Sequence, residues 1–275
     1  MSFPGFSDTQ NALGQFQGIS LAQLQEEAAF LTRIDRKYIV PGIDLAELLD
    51  SAEPGTRALE IDGRRSFGYS TRYFDAGHVS YYRALRKRRD RFKVRTRLYD
   101  GTEDCLLEVK LADGRGRTVK HRFQHDADHF ETLSSLDRAW LQSFQAVRSA
   151  AVSLDRSVAT HYWRSTLVFP GGSGRMTIDQ ELTFIGLDGN WLRVDGLCII
   201  EIKSPGRALP FDRLLWARGF RPTPASKFAL GVCLIDPELP DNRWHRLRSV
   251  LAGSLVAGDR TTSPISLPGV ELPAA

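Results

Sequence analysis

A chain of 275 residues with 42% hydrophobic and 25% charged residues has the composition of a soluble globular protein and can bury one large core or two small ones. Its formal net charge of +4 and pI near 9.0 favour an anionic partner, without separating phosphate compounds, nucleic acid and acidic lipid surfaces. No apolar run approaches the ~20 residues of a membrane span, and no export leader is legible, so a cytoplasmic location is expected. Cys105, Cys198 and Cys233 have no C-x-x-C spacing and read as reduced packing residues.

In chain order, residues 1–19 read as a loose N-terminal tail, 20–257 as a single folded domain and 258–275 as a loose C-terminal tail. Ser20 with Gln23 makes a capping box for a short helix through Phe30. The alternating "RIDRKYIV" is a strand, and Asp44 with Glu47 repeats the capping device before "LAELL". Four strands follow, "FGYSTRYFD", "RFKVRTRLY", "DCLLEVKLA" and "GRTVKHRF", the last two joined by the turn "DGRG", as in an antiparallel meander. The spacing of Phe130, Leu133, Leu136, Trp140, Phe144 and Val147 predicts one long amphipathic helix from Asp126 to Ser149. Strands resume with "ATHYWRSTLVF", "RMTIDQELTFIG" and "GLCIIEIKS", the first two linked by the turn "PGGSG". Helices are expected near 210–218, 225–236 and 241–256.

The strands are apolar on one side and ionic on the other. Strand side chains repeat every two residues, so Lys93, Arg95 and Arg97 share a face, as do Glu108 with Lys110, Lys120 with Arg122, Tyr162 with Arg164, Arg175 with Asp179, and Glu201 with Lys203. The opposite faces carry Val94, Leu107, Val109, Val119, Met176, Ile178, Ile200 and Ile202. Such strands suit an α+β fold built on an eight-stranded antiparallel closed β-barrel, apolar outside under helices and cation-lined within. The inward set holds nine cations, Lys37, Arg95, Arg97, Lys110, Lys120, Arg122, Arg164, Arg175 and Lys203, against Glu108, Asp179 and Glu201. Surplus cations do not persist around a dry interior, so the lining calls for water or a polyanion, and a chain of phosphates fits it. A carboxylate amid such cations is suited to Mg²⁺ or Mn²⁺ bridging phosphate oxygens, or to an ion pair that fixes a cation's rotamer.

The order "RKYIV", "STRYFD", "LEVK", "TVKHR", "Y-x-R", "RMTID", "EIKS" and "SKF" resembles the VTC domain, the polyphosphate polymerase module of the vacuolar transporter chaperone complex, within the triphosphate tunnel metalloenzymes. The resemblance runs from about Arg33 to Gly231. It implies phosphate-binding roles for Lys37, Arg95, Arg97, Lys110, Lys120, Arg164, Arg175 and Lys227, a metal-binding role for Glu201, and transfer of the terminal phosphoryl group of ATP to polyphosphate with release of ADP. Within that reading Arg95, Arg97, Lys120, Arg164, Arg175 and Lys227 are the expected catalytic cations. Lys37, Lys110, Arg122, Lys203 and Tyr162 are expected to bind substrate, and Glu201, Glu108 and Asp179 to hold Mn²⁺ or Mg²⁺. Expected partners are ATP and inorganic polyphosphate or pyrophosphate, not nucleic acid. The chain carries neither the phosphate-sensing domain nor the membrane helices of the eukaryotic proteins, so coupled translocation is not expected of it, and any membrane partner protein is left unidentified. The related tunnel hydrolases begin with E-x-E-x-K, where this chain has Arg33, Asp35 and Lys37, which weakens hydrolysis of triphosphates as the alternative; a non-catalytic polyphosphate-binding module is the other.

Other motifs carry less. His121, His125 and His129 are spaced four apart across a strand and a helix start, a poor zinc face. "PGGSG" lacks the Lys and Ser/Thr of a phosphate-cradling loop. Residues Arg86 to Arg91 form a solvated basic run suited to attracting anions at long range.

Overall fold

The computed structural model describes residues 6–27, 34–112 and 118–262. In chain order these form α1 (Phe6–Leu13), β1 (Gln17–Ile19), α2 (Leu21–Glu27), β2 (Ile34–Pro41), α3 (Gly42–Asp50), β3 (Arg57–Leu59), β4 (Phe67–Asp75), α4 (Val79–Leu85), β5 (Phe92–Tyr99), β6 (Cys105–Ala112), β7 (Thr118–His125), α5 (Ser135–Gln142), β8 (Asp155–Val168), β9 (Arg175–Ile185), β10 (Trp191–Val194), β11 (Leu197–Ser204), α6 (Pro210–Ala217), α7 (Lys227–Ile235), α8 (His245–Ala252) and β12 (Leu255–Gly258). No helix among the described residues is long and apolar enough to cross a membrane.

The hydrogen-bonded path β2–β11–β9–β8–β4–β5–β6–β7 is antiparallel throughout and supplies eight strands. It is strongly curled. Arg97 of β5 donates from Nη2 to the Tyr162 hydroxyl of β8 at 3.1 Å, although β4 lies between them. Glu201 of β11 acts electrostatically on Lys110 of β6, five strand steps away along the path, and Lys37 of β2 acts on Lys93 of β5. A flat sheet would place strands five steps apart at roughly 24 Å, beyond the reach of a screened charge. Among the described residues no ladder joins β7 to β2, so the circuit expected of a closed barrel stops at these two edges. Exposure along β7 is the physical counterpart: Val119, expected on the packed face, is 43% exposed.

The outward faces are covered in three places. Val94, Leu107 and Val109 of β5 and β6 pack with Leu133, Leu141 and Val147 around α5. Val158 and Phe184 of β8 and β9 pack beneath Phe228, Leu230 and Val232 of α7. Tyr38, Met176, Ile178, Ile200 and Ile202 pack against Leu45 and Leu48 of α3 and Phe211 and Leu215 of α6. Each fully buried aliphatic or aromatic side chain contributes about 1.5–3 kcal/mol by leaving water, so the helices hold the curl from outside.

Several elements differ from the sequence expectation. The N-terminal segment is tied down, with Leu13 and Ile19 at 0% and 1% exposure and Ile19 in parallel register with Leu59. The expected long helix is broken into a 3₁₀ turn at Ala127–His129 and α5, which starts afresh at a Ser134–Asp137 capping box, leaving Leu136 exposed. Ser20 and Gln23 do form the reciprocal box before α2. Asp44 instead lies inside the first turn of α3, whose N-cap is Pro41. Residues expected to end the last helix form β12, which pairs with β10, an unforeseen strand on the far end of β9. Within β9, Glu181 has φ +53 between the part paired with β11 and the part paired with β10. The turn "DGRG" lies outside the described residues, as do Arg33 and the expected helix end at Phe30.

Candidate functional site

The concave face is organised by three carboxylates on which seven cations converge. Glu108, fully buried at the middle of β6, accepts from Arg95 Nε at 2.8 Å and Nη2 at 2.5 Å, and from Lys120 Nζ and Arg122 Nε at 3.1 Å each. Register produces this cluster: Glu108 lies directly opposite Arg95 on one side and Arg122 on the other. Burial alone would raise the Glu108 carboxyl, but Arg95, Arg97 and Lys120 overrule it and hold it well below the usual carboxylate range.

Asp179, 1% exposed in β9, makes a two-point pair with Arg164 of β8 and accepts from Lys227 Nζ at the start of α7. Burial pushes its carboxyl up, yet Arg164 and Lys227 draw it down to about 2. The third centre is Glu201, whose Oε1 meets Lys37 Nζ at 2.8 Å and whose Oε2 meets Lys203 Nζ at 2.6 Å. Its carboxyl is likewise held low, burial being outweighed by Lys203, Lys37 and Arg164.

An aromatic platform links these centres. Tyr69 and Tyr162 stack at 5.4 Å. The Arg164 guanidinium lies 5.1 and 5.2 Å from their ring centroids, Arg97 lies 5.3 Å from Tyr69, and Lys227 Nζ lies 4.4 Å from Tyr162. Ring faces carry negative potential, so the tyrosines hold cations in place without neutralising them. Burial raises the Tyr162 hydroxyl, but Arg164, Arg97 and Lys227 prevail and lower it.

Two expected cations have no carboxylate partner among the described residues. Arg97, 7% exposed, donates to the Tyr162 hydroxyl, and its Nε is buried without a hydrogen bond. Lys110 sits opposite Lys120 and Lys93 in the ladders of β6, and Arg95 followed by burial drives its pKa well below the ordinary lysine value. Burial, partly countered by Glu108 and Glu201, brings Lys120 and Lys203 to about 8. Arg175 begins β9 opposite Lys203.

The fold therefore gathers every site residue expected from the sequence onto one curled sheet, with Lys227 added from α7. Tyr69, Tyr73 and Ser226 were not anticipated. Tyr73 receives Arg95 Nη1 at 3.4 Å, and Ser226 Oγ receives Lys93 Nζ at 2.8 Å. Lys93 was legible as a partner of Arg95 and Arg97 in the alternation but was not among the expected binding residues; Tyr69 and Tyr73 share the alternation of "FGYSTRYFD". The histidines are not gathered: His125 contacts Asp137 and the His129 carbonyl, while His121 lies against Phe144.

No group of three or more His, Cys, Asp or Glu side chains positioned for a metal occurs among the described residues. A single carboxylate is sufficient for Mg²⁺ or Mn²⁺ when phosphates and water complete the shell. Glu201 fits that requirement: its side chain is 14% exposed and held by two lysines, point charges that a metal and phosphate can replace. Glu108 and Asp179 are at most 1% exposed and committed to guanidinium forks, which suits them to orienting cations.

No curated protein matches the chain. Among solved structures, a Hippeastrum protein named for adenylyl cyclase, and reported to have a dominant triphosphatase activity, is 16% identical with a TM-score of 0.47, covering 76% of this chain and 98% of its own. A Vibrio parahaemolyticus protein named for adenylate cyclase is 15% identical with a TM-score of 0.37, covering 68% and 82%. A Pyrococcus horikoshii OT3 protein is 11% identical with a TM-score of 0.39, covering 72% and 95%. The model of one family, the VTC domain, matches residues 32–235, a span from β2 to the end of α7 that includes every charged residue of the three ion-pair centres; the chain belongs to the VTC domain family.

Proposed function

We propose that this chain is a metal-dependent polyphosphate polymerase, transferring the terminal phosphoryl group of ATP to a growing inorganic polyphosphate chain and releasing ADP. The observation that carries the reading is the convergence of seven cations on three carboxylates, with Arg97 and Lys110 left without an acid among the described residues. Such a face is charge-balanced only when a polyanion lies on it, and phosphoryl transfer depends chiefly on alignment and charge neutralisation.

Arg97 and Lys110 are the residues to bind phosphate oxygens first, and Arg175, opposite Lys203, is a further phosphate-binding cation. Arg95 and Lys120, turned inward by Glu108, and Arg164 and Lys227, turned inward by Asp179, then hold the transferring and accepting groups in line. When bound through Glu201, Mn²⁺ or Mg²⁺ would supply charge neutralisation on the phosphate oxygens. Lys37 and Lys203 keep Glu201 ionised, the form a metal requires.

The test is incubation of the purified chain with ATP, Mn²⁺ and a trace of pyrophosphate, followed by ADP assay and electrophoresis of polyphosphate. Polymer that is lost in Glu201→Ala and Arg95→Ala variants that remain folded supports the polymerase. ADP with free phosphate and no polymer replaces it with a triphosphate hydrolase. Metal-independent polyphosphate binding without turnover makes the chain a binding module.

A further inference from the structure

Lys93 belongs to the same face as Arg95 and Arg97, and, unlike Arg95 but like Arg97, it donates to a neutral hydroxyl. Its ammonium donates to a neutral acceptor, Ser226 Oγ, at 2.8 Å, and among the described residues no carboxylate pairs with it. The groups around it are cationic: Arg95 on its own strand and Arg91 just before it, Lys110 opposite on β6, Lys37 from β2, and Arg243 from the segment before α8. The three carboxylates of the face are already engaged, Glu108 by Arg95, Lys120 and Arg122, Glu201 by Lys37 and Lys203, and Asp179 by Arg164 and Lys227. Lys93 as a residue is half-buried.

Resting on the phosphate-handling reading of this face, we infer that Lys93 is a further phosphate-binding residue, which leaves Ser226 for a phosphate oxygen when an oligophosphate enters and draws one proton from solvent as it does so. A neutral hydroxyl is a weak anchor for an ammonium, and a phosphate oxygen offers it a charge-assisted bond. Burial, then the charges of Arg95 and Lys37, bring the amine down to about 7. An arriving anion restores its affinity for a proton.

Inorganic tripolyphosphate, titrated calorimetrically into the full chain at pH 8 in two buffers of different ionisation enthalpy, reads affinity and proton uptake together. The unaltered chain is expected to bind and to take up protons. Lys93→Met should bind about tenfold or more weakly and take up nearly one proton fewer. Lys93→Arg keeps its charge at any of these pH values, so it should bind within about threefold of the unaltered chain yet show the same lost proton. If both variants match the unaltered chain in affinity and uptake, the role of Lys93 is refuted and the phosphate-handling face stands. If the unaltered, folded chain does not bind tripolyphosphate, the face itself has been misread and Lys93 falls with it. Should Lys93→Met fail to fold, Lys93→Arg decides alone: a lost proton supports the inference, and unchanged uptake overturns it.

Discussion

Arg164 and Asp179 meet as a two-point pair across the β8–β9 ladder, Nε 2.5 Å from Oδ1 and Nη2 2.7 Å from Oδ2, and the same carboxylate holds Lys227 from α7. One buried acid thus fastens a helix to the sheet and aims two cations. Asp179→Asn should lower the stability of the free chain by about 3–5 kcal/mol, because two largely buried cations lose their counter-charge. Urea unfolding checks this, and tripolyphosphate should stabilise the variant more than it stabilises the unaltered chain. An equal response in both would show that phosphate does not take the place of the lost carboxylate.

Arg97 should separate stability from function in the opposite direction. The residue is 7% exposed, with Nε unbonded and no carboxylate partner among the described residues. Arg97→Met removes a charge that costs free energy in the unliganded chain, so stability should be unchanged or rise by about 1 kcal/mol. Tripolyphosphate affinity should nevertheless fall about tenfold or more. A variant that is both less stable and equally avid contradicts the assignment.

Much of this face was legible because charge alternation in a strand survives any tertiary context: the register of β5 with β6 follows from "FKVRTRLY" and "CLLEVKLA", and it brings Arg95 to Glu108. The helical period between Phe130 and Val147 concealed two breaks, since spacing registers which side is apolar and not where the backbone bonds stop. Ser134 and Asp137 were the available signal. The N-terminal segment looked loose because it is rich in Gly, Gln and Ser, although Leu13, Phe16 and Ile19 within it are each buried. Ser226 was invisible as a contact of Lys93, since 133 residues separate them.

The acidity of the face sets a pH dependence. Lys93 lies at about 7, and Lys120 and Lys203 at about 8, against 10.5 for an ordinary lysine. The folded chain therefore binds fewer protons than the unfolded chain across that window, and its stability should rise as pH climbs from about 7 towards 10. Asp179 acts at the other end: its contribution is complete above 3.8 and is lost as pH falls through about 2. Urea midpoints in phosphate-free buffer should thus be higher at pH 9.5 than at pH 7. A midpoint that falls over this interval counts against the depressed lysines.

The thiols should be silent. Cys105, Cys198 and Cys233 are buried and free, and burial first of all pushes them up to about 11, 12 and 11. A disulfide reagent at pH 8 should modify none of them within minutes in the folded chain and all three in denaturant. Rapid native labelling would mean that one of these sites opens readily.

Gly231 is a distant control on the cations. A Cβ there would approach Phe184 Cδ1 to 2.7 Å and Val158 Cγ2 to 3.1 Å, so α7 can lie this close to β8 and β9 only without a side chain. Gly231→Val should cost about 1–3 kcal/mol through overpacking. It should also weaken tripolyphosphate binding, because the lifted helix carries Ser226 and Lys227 away. Normal binding with lowered stability would show that the start of α7 moves independently of its middle.

Among the described residues no ladder joins β7 to β2, which gives the curled sheet two kinds of wall. Around β8 and β9 the backbone is bonded on both sides and roofed by α7, whereas β7, among the described residues, is bonded only to β6, to which Lys120 and Arg122 add ion pairs with Glu108. Main-chain bonds yield only by local unfolding, and a strand bonded on one side opens more readily than one bonded on both. Amide protons of β7 should therefore exchange with solvent long before those of β8, making the receptor for a long polymer a cupped hand with one compliant finger.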